Sequence, residues 1–175
     1  IQSPRLFGRT ERGRAKAVNF GIAYGQTTFG LSQNLNISRT EAKEIIDNYN
    51  MQFPGVKSLM ESNIEFARAN GYTKTVLGRK RYIKDINSQN NTVRSQAERI
   101  AVNSPIQGSA ADMIKVAMIK IHHAIKKAKL RSTMLLQVHD ELVFDVHETE
   151  VEQLKKLVVD NMVNAITINV PIEAE

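Results

Sequence analysis

Apolar positions recur at the three- to four-residue spacing of a helix along most of the first 130 residues. This periodicity predicts helices over residues 12–25, 38–52, 56–70, 92–103 and 108–130, with a short helical turn over 31–36. Pro105 lies between the last two long helices, and a proline predicts a break there because it has no N–H to donate. Ser38 and Glu41 have the spacing of a capping box, as do Thr149 and Glu152, which predicts a last helix running to about residue 165.

Short segments without helical periodicity predict strands. Residues 72–77 and 81–83 indicate a hairpin with a basic tip, and residues 133–146 indicate two apolar strands around the turn His139-Asp140-Glu141. Residues 168–172 indicate a closing strand. The pattern predicts the α+β class, with a helical portion and part of an antiparallel sheet packed on helices.

Composition excludes some kinds of protein. There are no cysteines, which rules out disulfides and Cys-based metal sites. No stretch approaches the roughly 20 apolar residues of a membrane span, and the first residues do not have a signal-peptide layout. We therefore expect a cytoplasmic protein without a membrane partner.

The charge is unevenly distributed along the chain. Residues 1–139 hold 22 Lys and Arg against 9 Asp and Glu, a net charge of +13, whereas residues 140–175 hold 2 against 9, a net charge of −7. A basic body of this kind suits a polyanion such as nucleic acid, although a basic surface also serves solubility alone.

One face of the predicted helix 12–25 carries an unusual set of groups. At about 100° per residue, this face holds two cations, an amide and then two rings: Arg12, Lys16, Asn19, Phe20 and Tyr24. Cations followed by flat apolar rings suit a triphosphate with a base attached. The alternative is an amphipathic surface helix with aromatics in the core and cations in solvent. Gly21 and Gly25 indicate a bend or the close approach of another backbone.

A second polar stripe lies on the predicted helix 92–103. Gln96, Arg99 and Asn103 align on one face, and Gln107 follows. Such side chains can donate to acceptors that every base pair presents in the minor groove, which gives contact with duplex DNA without choice of sequence. The alternative is an ordinary solvated face.

The acidic turn is the third candidate. Phosphoryl transfer needs a divalent metal, and carboxylate oxygens are suitable ligands for Mg²⁺. Asp140 is the first candidate ligand and Glu141 the second. The alternative is an ordinary exposed hairpin tip.

Three motifs resemble the family A DNA polymerases, the DNA polymerase I type. R-x-x-x-K-x-x-N-F-G-x-x-Y-G, from Arg12 to Gly25, resembles the nucleotide-binding helix of the fingers, except that Gly13 stands where the family often has a second Arg. N-S-P-I-Q-G-S-A-A-D from Asn103 resembles a segment facing the primer–template, and Q-V-H-D-E-L-V from Gln137 resembles motif C of the palm.

This resemblance implies a role for each matched residue. Arg12 and Lys16 would hold the triphosphate, with Lys16 acting in catalysis, Phe20 would stack on the sugar and base, and Tyr24 would guard the template-base position. The DNA-binding residues would be Arg99, Asn103, Gln107, Gln137 and His139. Asp140 would bind two catalytic Mg²⁺ ions, assisted by Glu141.

The resemblance also implies that the chain is a fragment of a DNA-directed DNA polymerase, which adds deoxynucleotides to a primer 3′ end. We expect an irregular leader at 1–11, a fingers-like region at 12–91 with a basic hairpin at 72–83, and a C-terminal palm portion at 92–175. The family's second metal-binding Asp lies in an upstream D-Y-S-Q-I-E-L-R-like motif, and no such stretch is present. The expected partners are primer–template DNA, dNTPs and the rest of the polymerase, with its thumb and motif A palm, without which we expect no activity.

Two other functions remain open from the sequence. A single-subunit phage-type RNA polymerase shares the palm and fingers plan, although Asn19-Phe20-Gly21 and the Glu that follows His139-Asp140 favour a DNA polymerase. A non-catalytic nucleic-acid-binding module with a polymerase-like shape is the other alternative.

Overall fold

The structure, a computed structural model, describes residues 9–174, with side chains from Arg12 onward. The chain divides into two compact units, residues 1–106 and 107–175. The helices are α1 (Arg9–Ala23), α2 (Thr28–Leu35), α3 (Arg39–Gln52), α4 (Pro54–Asn70), α5 (Asn91–Ala128) and α6 (Val151–Val163). The strands are β1 (Tyr72–Lys74), β2 (Lys80–Tyr82), β3 (Thr133–Val138) and β4 (Glu141–Asp145). The predicted α+β class is confirmed.

Local signals set several helix ends in the first unit. The predicted capping box of α3 is present, with the Ser38 hydroxyl accepting from Glu41 N at 3.1 Å and Glu41 Oε2 accepting from Ser38 N at 2.9 Å. Those hydrogen bonds also lower the pKa of Glu41. Gly71 ends α4 at φ 75°, a left-handed conformation that glycine adopts without a Cβ clash.

The core of the first unit lies between α4, α5 and the segment after β2. Ala67 and Ala101 are fully buried, and Ile83, Ile86 and Ala97 complete the cluster. Two small alanines on facing helices allow the backbones to approach closely. The apolar side chains that follow β2 fill the remaining space, and this holds the β1–β2 hairpin against the helices.

Pro105 does not break the chain into two helices, so this prediction is wrong. It lies inside α5, which continues from Asn91 to Ala128. An internal proline costs a helix about 3 kcal/mol. The helix continues because it is packed before and after the proline, through Ala97 and Ala101 in the first core and Ala117 and Ile121 in the second.

The second unit is built on the antiparallel β3–β4 hairpin. Leu142 and Phe144 pack against a core that includes Ile121 of α5 and Leu154 of α6. The register shifts between Met134 and Leu136, so that Leu135 is an extra residue in β3.

Three further boundary predictions need correction. Residues 168–172 are not a strand. A strand needs a hydrogen-bonded partner, and in the described part of the chain each sheet consists of two strands that pair only with each other. The helix expected from Thr149 begins at Val151, without a side-chain cap. The irregular leader expected over residues 1–11 is wrong for its last three residues, because α1 begins at Arg9. Helix ends inferred from sequence commonly differ by one or two positions from those observed. Residues 1–8 lie outside the described residues.

No helix in the described range 9–174 is long and apolar enough to cross a membrane.

Glu150 is the N-cap residue of α6, but its side chain makes no cap hydrogen bond because its carboxylate binds groups of other segments. It accepts hydrogen bonds from Arg131 N at 3.0 Å, Ser132 N at 2.9 Å and Ser132 Oγ at 2.6 Å, immediately before β3 begins. The Ser132 hydroxyl in turn accepts from His147 N at 3.0 Å, just after β4. The Arg131 N–H and the Ser132 hydroxyl lower the pKa of Glu150 from 4.5 to about 2.

This depressed pKa predicts an acid-sensitive second unit. The folded-state pKa of Glu150 lies below its unfolded value of 4.5. The stabilisation that the Glu150 carboxylate gives the folded state is therefore complete above pH 4.5 and is lost as the pH falls towards 2. Glu150→Gln should therefore lower the urea midpoint at pH 7 and flatten the acid dependence of unfolding, measured by circular dichroism. Glu152→Gln, an exposed carboxylate on α6, is the matched control and should keep the wild-type dependence. Identical acid profiles for wild type and Glu150→Gln would contradict this role.

Candidate nucleotide and nucleic-acid sites

The predicted functional face of α1 lies on the surface of the first unit. Arg12, Lys16 and Phe20 are exposed, while Ile22 on another side of the helix is buried. Phe20 is 49% exposed, which excludes the alternative that its ring belongs to the core. An exposed aromatic ring beside two cations is available to a ligand.

The cations and rings follow one another along α1 as predicted. Lys16 Nζ lies 5.8 Å from the centre of the Phe20 ring, within range of a cation–π interaction. The Phe20 and Tyr24 rings are stacked, with centres 6.0 Å apart and planes 19° from parallel. The helix therefore presents positive charge at one end of this face and flat apolar surface at the other.

A cleft of about 370 Å³ in the first unit brings two predicted sets of residues together. Phe20 and Tyr24 were predicted to bind nucleotide, and Arg99 and Asn103 to bind DNA; all four line this cleft. Three helices and the loop between the first two form its walls: Ala17, Phe20 and Gly21 of α1, Tyr24 and Gln26 between α1 and α2, Asn34 of α2, and Arg99 and Asn103 of α5.

One polar atom of the cleft has no partner in the described part of the chain. Asn103 Oδ1 is buried and accepts no hydrogen bond there. A buried polar atom without a partner costs about 1–3 kcal/mol, so an acceptor of this kind is suited to an N–H or O–H donor from a ligand. Arg99 lines the same cleft, which therefore offers both hydrogen-bonding groups and ring faces.

Sequence reasoning missed Gln26 and Asn34. Gly21 was predicted to mark a bend or the close approach of another backbone, but the group beside it is the Gln26 side chain. A Cβ at Gly21 would collide with Oε1 of Gln26, and a Cβ at Gly30 would lie 3.0 Å from Cγ of Gln26. Gly25 has φ 73°, so the predicted bend after α1 is present. No pattern marked Asn34, because one exposed amide on a helix is common.

The acidic turn of the second unit is tighter than the sequence indicated. Glu141 pairs with Val138 as the first residue of β4, which leaves His139 and Asp140 as the turn. His139 has φ 55°, in the left-handed region that turns of this kind use. Gln137 Nε2 donates to His139 O at 2.6 Å and supports this conformation.

The turn forms the polar side of a cavity of about 810 Å³ in the second unit. Gln137, His139, Asp140 and Glu141 line it together, so the cavity brings two residues predicted to bind DNA next to the two predicted to bind metal. Its apolar lining includes Ile114 of α5, and further residues come from α6 and the segment 172–174. Gln107 is exposed on α5 and does not contribute to this lining.

The turn carries two carboxylates that fit a magnesium ion. In the described residues, no three His, Asp or Glu side chains come together as a complete metal cluster. Mg²⁺ commonly keeps several waters and is held by one or two carboxylates together with substrate phosphates. Asp140 and Glu141 are exposed and offer such oxygens. The two carboxylates therefore fit a Mg²⁺ ion that is also held by substrate phosphates and water.

Comparison with known proteins defines the family. The profile of DNA polymerase family A matches residues 3–175. The chain is 52% identical over 164 residues to DNA polymerase I of Bacillus caldotenax, and 49% identical over 175 residues to DNA polymerase I of Streptococcus pneumoniae. This chain belongs to the family A DNA polymerases.

A solved structure supports the same assignment. The polymerase domain of Pol1 from M. smegmatis, in complex with a DNA primer–template and dNTP, matches 97% of this chain with a TM-score of 0.92 and 50% identity. The chain covers 30% of that structure, and it spans 19% and 20% of the two DNA polymerase I relatives, with 94% and 100% of its own residues aligned. These relatives favour a DNA polymerase over the phage-type RNA polymerase.

Two glycines of α1 test the position of Gln26. Alanine stabilises a helix interior by about 0.5–1 kcal/mol relative to glycine. Gly13 has open space around it, so Gly13→Ala should raise the free energy of unfolding by about that amount. Gly21→Ala should raise the free energy of unfolding by less, because the new Cβ forces the Gln26 side chain out of its observed position.

Removing the Gln26 side chain should restore the full stabilisation by Gly21→Ala. Gly21→Ala introduced into Gln26→Ala should stabilise the chain as much as Gly13→Ala does, as measured by urea unfolding. A gain from Gly21→Ala that is the same with and without the Gln26 side chain would contradict the packing described here.

Proposed function

We propose that this chain supplies the nucleotide-binding helix and part of the catalytic palm of a template-directed DNA polymerase, which adds deoxynucleotides to a primer 3′ end. The observation that carries this proposal is the cleft of the first unit, where Phe20 and Tyr24 meet Arg99 and Asn103. A copying enzyme needs its nucleotide next to the base pair being formed, and these side chains suit the two ligands. Residues 12–91 correspond to the fingers in this proposal, and residues 92–175 to the palm portion.

The exposed face of α1 binds the incoming nucleotide. Arg12 and Lys16 hold the triphosphate, where Arg offers a planar fork of donors and Lys a compact charge. Lys16 also stabilises negative charge as it develops on the leaving phosphate, which makes it the catalytic cation of this face. Phe20 packs on the sugar and base, and the half-buried Tyr24 occupies the template-base position until the template base arrives.

The polar stripe of α5 and the β3–β4 turn bind the primer–template. Arg99, Asn103 and Gln107 donate to minor-groove acceptors, which are similar in every base pair. Gln137 and His139 contact the primer end, beside the carboxylates of the turn.

Asp140 and Glu141 are the metal ligands in this proposal. Two Mg²⁺ ions, when bound, neutralise phosphate charge and activate the attacking oxygen. Clamping two ions takes carboxylates from more than one element. Glu173 also lines this cavity, but among the described residues no three His, Asp or Glu side chains come together to hold a metal ion. We therefore expect primer extension to require the remaining palm and thumb as partners of this chain.

Nucleotide binding tests the α1 face directly. Lys16→Ala should weaken binding of a fluorescent dATP analogue to the 175-residue chain by about tenfold or more, because a hydrogen bond to a charged group contributes about 1.5–3 kcal/mol. Lys43→Ala removes the same charge from an exposed position on α3 and should change binding by less than about twofold, measured by fluorescence anisotropy with Mg²⁺. Equal losses in the two variants would refute a specific triphosphate site.

Catalysis tests the acidic turn. In the full-length polypeptide that carries this chain, Asp140→Asn should slow primer extension by roughly 100-fold or more, because a lost metal ligand removes several kcal/mol of transition-state stabilisation. Binding of primer–template should change little. Asp145→Asn, an exposed carboxylate at the other end of β4, is the matched control and should keep near-normal rates. Near-normal extension by Asp140→Asn would make the turn an ordinary exposed tip.

A further inference from the structure

The β1–β2 hairpin has one face composed of rings and cations. Tyr72 pairs with Tyr82, and Lys74 pairs with Lys80, so these four side chains lie on the same face. Thr73 pairs with Arg81 on the opposite face, where Thr73 is buried. From residue 72 to residue 84 the sequence holds five Lys and Arg and no Asp or Glu, so this segment is suited to an anionic partner.

The rings of this face form a continuous row. Phe66 of α4 packs edge-on against Tyr72 with centres 5.6 Å apart, and Tyr72 packs edge-on against Tyr82 at 5.8 Å. Lys74 Nζ lies 5.4 Å from the centre of the Phe66 ring, and Lys80 Nζ lies 4.5 Å from that of Tyr72. These contacts hold the rings and ammonium groups in a defined arrangement before any ligand arrives.

Tyr82 ends the row and is open to solvent. Its side chain is 71% exposed, although tyrosines are on average substantially buried. An exposed ring at the end of this row offers a flat surface for stacking, and the lysines of the same face offer charges for phosphates. None of these residues lines the nucleotide cleft of the first unit.

We propose that this face, formed by Tyr72, Lys74, Lys80 and Tyr82, binds single-stranded DNA. Unpaired bases stack on aromatic side chains while lysines contact the backbone, and binding of this kind tolerates any sequence. A duplex hides the faces of its bases, and an acidic peptide would pair with the lysines without using the open ring. The choice of DNA as the partner rests on the proposed polymerase function.

The absence of tryptophan from the chain allows a direct test of stacking. Tyr82→Trp introduces a single tryptophan, whose emission should be quenched to saturation by an oligodeoxythymidylate of about a dozen nucleotides, within the usual site size. Phe53→Trp, at an exposed ring between α3 and α4, is the matched reporter and should be quenched little. Equal quenching of the two reporters, or equal quenching of the Tyr82→Trp variant by a duplex or by polyglutamate, would overturn the proposal.

Affinity measurements separate stacking from general electrostatic attraction. Tyr82→Ala should weaken binding of labelled oligodeoxythymidylate by about tenfold, whereas Tyr82→Phe should retain it, because the ring stacks without its hydroxyl. Lys80→Ala and Arg81→Ala remove the same charge from adjacent residues on opposite faces. Lys80→Ala should cause the larger loss, and equal losses with no effect of Tyr82→Ala would overturn the proposal.

The same variants distinguish this proposal from that for the cleft. Tyr82→Ala should bind the fluorescent dATP analogue as wild type does. If the wild-type chain does not bind that analogue at all, the polymerase proposal fails, while ring-dependent binding of single strands would still support the hairpin surface.

Discussion

The structure depends on the burial of the apolar positions of α5 in two separate cores. Before Pro105, Ala97 and Ala101 pack under the first unit, and after it Ala117 and Ile121 pack under the second. This burial outweighs the cost of an internal proline and keeps the helix continuous. In the first unit α5 contributes Arg99 and Asn103 to the wall of the cleft, and in the second unit it contributes Ile114 to the lining of the cavity that Asp140 also lines.

The groups of the proposed nucleotide site include ones that folding leaves unsatisfied. Phe20 remains half exposed beside Lys16, and Asn103 Oδ1 remains without a partner among the described residues. Exposed rings and unpaired buried acceptors are costly for stability, whereas ligands that stack and donate hydrogen bonds relieve both costs. Glu150 is different, because its carboxylate accepts hydrogen bonds from Ser132, whose hydroxyl accepts one from His147 N. Through Ser132 it joins the start of β3 to the segment after β4.

Sequence reasoning was most successful where the signal was local. The Ser38–Glu41 capping box, the Gly71 helix end and the exposed face of α1 depend on residues a few positions apart, and all are present. The motifs also identified the family. Features that depend on tertiary contacts were missed.

The missed features share one physical reason. The continuity of α5 past Pro105 is decided by packing against residues distant in sequence. The hydrogen bonds of Glu150 were missed because its partners, Arg131 and Ser132, lie 19 and 18 residues away in sequence. Gln26 and Asn34 enter the cleft only because of the way α1 and α2 pack, which no periodicity reports.

Mapping the nucleotide on the chain is the most direct test of the account. At 19.7 kDa the chain suits amide ¹H–¹⁵N correlation spectra, which can be followed while a dNTP and Mg²⁺ are added. The account predicts that the perturbed amides are those of α1 from Arg12 to Phe20, together with those around Tyr24 and Arg99. Perturbations confined to the β1–β2 hairpin or to the second unit, with α1 unchanged, would contradict it.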